Sequence, residues 1–172
     1  MTQEKIESKI KITAINKIKI NNDKTAIISY VQSEDLSSSE VVFTGKEKVT
    51  DEFFKKFQDN VDGFIGCLPA LKNESKNIVM NAIKFDYEKG NGLLKSILYS
   101  VKYAFNPANN AVVNISTPLL PIYKDNFDEK TFCISGKHEQ LLIDVIELAK
   151  RYINGETGTV QGKLNLVVSN AE

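Results

Sequence analysis

Polar and apolar residues alternate along residues 9–20. Ile10, Ile12, Ala14, Ile18 and Ile20 share one parity, and Lys9, Lys11, Thr13, Lys17 and Lys19 share the other. Successive side chains of a strand point to opposite faces, so the pattern predicts a strand with one buried and one solvated side. Asn21-Asn22-Asp23-Lys24 tolerates turn dihedrals, and residues 25–32 resume a β-rich run, which together read as a hairpin. After a polar stretch at 33–39, residues 40–44 form a short third strand ending at Gly45.

The period changes at Val49. Thr50 suits an N-cap, Asp51 and Glu52 suit the positive end of a helix, and Val49 can staple to Phe54. Phe54, Phe57, Val61, Phe64, Ile65 and Leu68 recur at three and four, one apolar stripe expected to pack on the sheet. Gly63 and Gly66 weaken the last turns and Pro69 stops the helix, with a loop at 72–77.

A second set of strands follows. Residues 78–87 and 93–105 flank Glu88-Lys89-Gly90-Asn91-Gly92, a turn whose glycines accept positive φ, and residues 111–117 add a third strand. Pro118 and Pro121 bracket Leu119-Leu120, which predicts an edge or an extended arm. An acidic loop at 123–130 precedes a final helix over 137–153. Its inward residues are Leu141, Leu142, Val145, Leu148, Ala149 and Tyr152, with Asn154-Gly155 as C-cap. The order is βββα-βββα. Hairpin-joined strands make a largely antiparallel sheet, so the expected fold is α+β with two amphipathic helices packed on it. Residues 1–155 form the single domain, and residues 156–172 form a linker and an apolar tail.

Composition narrows the function. Twenty-two basic residues balance twenty-two acidic ones, so no global field steers the chain toward nucleic acid or membrane. No apolar run is long enough for a membrane span, and the charged first residues lack a signal-peptide core. Cys67 and Cys133 lie far apart and suggest no disulfide framework, which fits a reducing cytoplasm.

Groups that titrate near neutrality or bind metals are scarce. His138 is the one histidine; at the start of the last helix it reads as a base, as an anion contact, or as an exposed first-turn residue. Gly136-Lys137 lacks both the upstream glycine and the following Ser/Thr of a phosphate loop, since Thr131 and His138 stand there. Gly90-Asn91-Gly92 joins two strands and opens no helix. Asp125, Asp128 and Glu129 lack the glycine and terminal glutamate of a calcium loop. Neither cysteine has a cationic neighbour to activate it. No cofactor, metal site or catalytic group is expected.

One feature carries a binding mechanism. Lys9, Lys11, Lys17 and Lys19 project from one side of the first strand, with Lys24 in the adjoining turn, and such arrays bind phosphate backbones through counterion release. Tyr30, Tyr99 and Tyr103 in neighbouring strands stack on bases if exposed. A solvated sheet face with its tyrosines in the core fits the same pattern. Leu119, Leu120, Leu164, Leu166 and Val168 are apolar residues on peripheral-looking segments, which predicts contacts in a homo-oligomer.

The string Ala149-Lys150-Arg151-Tyr152-Ile153-Asn154-Gly155-Glu156, after an acidic helix, resembles the C-terminal region of small uncharacterised tailed-phage early-region proteins. Ile83-Lys84-Phe85-Asp86-Tyr87 entering a long strand, and the Thr117-Pro118 turn, share that look; the 163–168 tail departs from it. The resemblance covers the C-terminal half and implies a setting: a phage protein acting on DNA or on host defence. Two functions follow as expectations. One is a non-enzymatic accessory protein binding single-stranded nucleic acid in replication or recombination. The other is an anti-defence protein that sequesters a nucleotide signal or inhibits a host immune enzyme.

Overall fold

In the computed structural model, which describes residues 11–34, 37–90, 92–106, 108, 111–122, 134 and 136–158, the first alternating segment is a strand with two interruptions. β1 (Lys11–Ile20) pairs antiparallel with β2 (Thr25–Glu34), and the register slips between Ile12 and Ala14 and again between Ile15 and Lys17. Each slip inserts one unpaired residue and inverts the side-chain parity. Ile15 therefore joins Ile18 and Ile20 in the core, although it has the lysines' parity in the sequence. The two inversions cancel, so Lys11 returns to the side of Lys17 and Lys19. Lys9 lies outside the described residues.

β3 (Ser37–Lys48) starts earlier and runs on past Gly45, because ladder bonding to β2 takes up Ser38 and Ser39 whatever their polarity. α1 (Asp51–Asp59) begins as expected, with the Thr50 hydroxyl accepting from the Phe53 amide at 3.2 Å. The helix breaks at Asn60, and α2 (Val61–Cys67) and a 3-10 segment (Pro69–Asn77) follow. The buried stripe is Phe53, Phe57, Asn60 and Phe64, at helical spacing; Phe54 and Val61 are only half-buried. Asn60 is fully buried and hid that stripe from a reading of apolar positions.

β4 (Ile78–Tyr87), β5 (Leu94–Asn106) and β6 (Ala111–Ser116) form the second antiparallel set, and a two-residue β7 (Leu120–Pro121) pairs with β5 beyond the end of β6. α3 (Gly136–Ile153) closes on Gly155 with φ of 98°. The result is an α+β fold around one seven-stranded, mostly antiparallel sheet with the path β3-β2-β1-β4-β5-β6. It departs from the expected order by the broken first helix, the 3-10 segment and the extra short strand.

The halves meet where β1 pairs with β4, over only Lys17↔Lys84, Ile18↔Ile83 and Lys19↔Ala82. Ile18, Ile28, Ile83 and Tyr99 from one side of the sheet share a continuous core with Phe53, Phe57 and Phe64 of α1–α2 and Leu142, Val145 and Ala149 of α3. Leu120, expected at an oligomer contact, is 4% exposed and belongs to this core, whereas its neighbour Leu119 is 60% exposed. Leu164, Leu166 and Val168 lie outside the described residues. Past residue 155 the chain stays attached: the Gly158 amide donates to Lys48 O at 2.9 Å, and Arg151 pairs with Glu156.

Candidate functional site

Cross-strand partners share a face, so the pairing register shows what stands opposite the core. One row across the sheet runs Val42, Ser29, Lys17, Lys84, Leu98. The next runs Thr44, Ile27, Lys19, Ala82, Ser100, Ser116, and a third holds Val79, Lys102 and Asn114. Rows two residues apart along a strand are about 6.7 Å apart. Lys17, Lys84, Lys19 and Lys102 thus cluster on three adjacent strands. Lys84 and Lys102 escaped the sequence reading, although Ile83-Lys84-Phe85 and Val101-Lys102-Tyr103 alternate just as β1 does.

Lys17 and Lys84 are direct cross-strand partners, an arrangement of like charges that destabilises a sheet. Among the described residues, no carboxylate forms an ion pair with Lys17, Lys19 or Lys84. Lys102 Nζ donates to Asn22 Oδ1 at 3.0 Å. Two acidic residues flank the cluster on this face: Asp86, one row beyond Lys84, accepts from Ser96 Oγ at 3.1 Å, and Glu40 accepts from Asn16 Nδ2 at 3.2 Å. Lys11 is exposed on the same face, opposite Ser33. Lys24 stands apart at the helix side, its ammonium 3.2 Å from Asp51 and 4.8 Å from the centre of the Phe54 ring.

The tyrosines do not join the lysines. Tyr30 and Tyr99 are buried against the helices, and Tyr103 is half-buried on that same side, opposite Ile78. The Tyr99 phenol donates to Asn60 Oδ1 at 3.4 Å, and burial pushes its pKa up. Among the described residues of the lysine rows there is no aromatic ring to serve as a stacking platform.

The other candidates are weaker. A cleft of about 990 Å³ opens where the bulged half of β1 parts from β4, walled by Ile15, Leu93, Ile143 and Ile146 and edged by Glu88 and Glu139. Tyr87 Oη bridges it to Ile15 O at 2.9 Å, and burial raises that phenol to about 12. Its one lysine, Lys150, is paired with Glu147 at 2.7 Å, so the cleft does not favour an anion. His138 is half-buried in a shallow hollow with Asp59, Asp62 and Asp144. No group of three metal-ligating side chains occurs among the described residues.

Cys67 donates to Gly63 O at 3.2 Å, and desolvation raises its thiol to about 11, so little thiolate exists at neutral pH. Gly90 and Gly92 have φ of 95° and 66° and serve the β4–β5 turn. Cys133, Asp125, Asp128 and Glu129 lie outside the described residues. No helix among the described residues is long and apolar enough to cross a membrane. No protein-family description, no curated protein and no solved structure matches this chain.

Proposed function

We propose that the protein is a non-enzymatic accessory protein that binds single-stranded nucleic acid on the open face of its sheet, in the replication or recombination of a phage within the host cytoplasm. The observation that carries the reading is the cluster of Lys17, Lys84, Lys19 and Lys102, with two lysines as direct cross-strand partners and, among the described residues, no carboxylate ion-paired with Lys17, Lys19 or Lys84. A phosphate between Lys17 and Lys84 turns their repulsion into two attractions. Among the described residues, α1, α2 and α3 share their buried residues with one side of the sheet, and the other side is available for a strand to lie across.

The contacts are to backbone, and selectivity among sequences is correspondingly low. Self-association through Leu119 and the tail residues Leu164, Leu166 and Val168 lines up several such faces. A second reading, inhibition of a host immune enzyme, draws on the cleft beside β1, where Leu93 and Ile143 are exposed apolar groups. The glutamates there disfavour sequestering a nucleotide.

Fluorescence anisotropy with a labelled oligothymidylate over a salt series tests the first reading. Four phosphate contacts give a logarithmic salt slope of roughly −3, at about −0.7 per contact for single strands. Absence of binding at low salt overturns it and leaves the cleft reading.

A further inference from the structure

Going beyond nucleic-acid binding, we infer that the outer edge of β6 is a self-association surface, to which a second copy of this chain adds its own β6 in antiparallel pairing. β6 ends the sheet path, and among the described residues no strand pairs with its outer side. Alternate residues of such a strand turn their N–H and C=O groups outward, a ready template for another strand. The two ends of the sheet treat this liability differently. β3, at the far end, carries Glu40, Lys46, Glu47 and Lys48, and charges on an edge deter pairing. Its last carbonyls are also engaged: Glu47 O accepts from the Tyr152 hydroxyl, and Lys48 O from the Gly158 amide at 2.9 Å. β6 is Ala111-Val112-Val113-Asn114-Ile115-Ser116, with no charge, no proline and three β-branched apolar residues. Exposed apolar groups gather around it. Val112 and Val113 are 52% and 42% exposed, and Phe105 and Leu119 stand exposed just before the turn into β6 and just past its end.

The strand's own chemistry selects a second copy as the occupant. Cross-strand partners share a face, so in an antiparallel pair about a two-fold axis each position of β6 meets one of its own parity. On the helix side Ala111, Val113 and Ile115 meet one another, and on the open side Val112, Asn114 and Ser116 do. No like charges are opposed in any register centred on the strand. The antiparallel arrangement also brings the Leu119 end of one copy beside the turn end of the other. Each copy offers one such edge, because its other edge is the charged β3, so pairing closes at two chains. The open faces of both sheets then lie on the same side. The strands that carry the two Lys102 residues are three strand spacings apart, about 14 Å, so the lysine rows continue across the seam.

Sedimentation equilibrium of the full chain, without nucleic acid, tests the seam. A six-residue edge is a small interface, so the dimer is weak, and the mass should rise from one chain toward two between micromolar and millimolar concentration. Val113→Lys sets a charge against Val113 or Ile115 of the second copy and should raise the midpoint concentration by about tenfold or more. If that variant fails to fold, amide hydrogen exchange on the natural protein decides: protection over residues 111–116 should grow with concentration, while that of β3 stays constant. A natural chain that remains monomeric, an assembly that grows past two chains, a dimer indifferent to Val113→Lys, or a β6 that gains no protection overturns the inference. Because no nucleic acid is present, each of those results leaves the lysine-face reading where it stands.

Discussion

The two faces of the sheet are built from the same strands and have opposite fates. Ile18 and Ile83 are partners on one side and completely buried; their neighbours Lys17 and Lys84 are partners on the other and reach solvent. On the covered side the fully buried Asn60 side chain has both of its polar atoms hydrogen-bonded. The Asn60 amide donates to Lys56 O at 2.9 Å and to Phe57 O at 3.4 Å, and its oxygen accepts from Tyr99. On the open side even two adjacent cations are tolerated, because water screens them and no core depends on their position. The covered face therefore holds the fold, and the open face can carry charge for binding at little cost in stability.

The comparison breaks first if the covered face proves soft. Phe57 is fully buried at the centre of the α1 stripe, and truncating such a residue removes its transfer free energy and leaves a cavity. Phe57→Ala should lower the free energy of unfolding by about 3–5 kcal/mol in a denaturant titration. A loss below about 1 kcal/mol would mean that the helices do not depend on this contact.

A smaller loss tests the polar exception. Asn60→Ala leaves the Tyr99 hydroxyl without its acceptor in a buried site and should cost about 1–3 kcal/mol. Tyr99→Phe in the same background should recover part of that loss, because it removes the stranded hydroxyl. No recovery would show that Asn60 acts through packing alone.

The open face should respond in reverse. Replacing Lys17, Lys19, Lys84 and Lys102 with Gln should flatten the salt dependence of oligonucleotide binding toward zero. Each substitution should leave stability within about 0.5 kcal/mol, as solvated surface positions do. Removing the Lys17–Lys84 repulsion should offset part of any loss. Substantial unfolding of the fourfold variant would erase the distinction between the faces.

The legibility of the sequence follows the same division. Alternation gave most strands, and the Thr50 cap and the Asn154-Gly155 stop marked helix ends, because those signals depend on local dihedrals and bonding. Bulges are invisible in the sequence, since an extra residue in β1 is defined by its partner strand, and Ile15 therefore carries the parity of the solvated lysines although it is buried. Asn60 is a polar member of a buried helical stripe, and apolar periodicity does not mark such a position. The lysine face was legible on β1 alone. Its extension through Lys84 and Lys102 required the β1–β4 junction, a contact between residues far apart in the chain.

The smallest expected effect concerns the pair that ties the helices together above the covered face. Lys56 of α1 donates to Asp144 of α3, and Gln140 also donates to Asp144, at 2.9 Å. The Lys56 ammonium, and then the Gln140 amide, hold the Asp144 carboxyl below the ordinary carboxylate range. A carboxyl whose folded pKa is depressed stabilises the fold above its unfolded value of about 3.9, and that contribution fades as pH falls through the lower folded value. For Lys56 the sign is opposite: Asp144 raises its pKa, so its contribution is present below about 10.4 and is lost as pH rises through the folded value. The pair is therefore worth most between those limits. Both side chains are about one-third exposed, at 34% and 31%, so solvent screening keeps the gain small. Asp144→Asn should melt slightly below the natural protein at neutral pH and low salt, with the gap closing in acid and in high salt. A gap that stays constant across pH would assign the loss to the Gln140 contact and to packing, and α1 and α3 would then be held by the core beneath them alone.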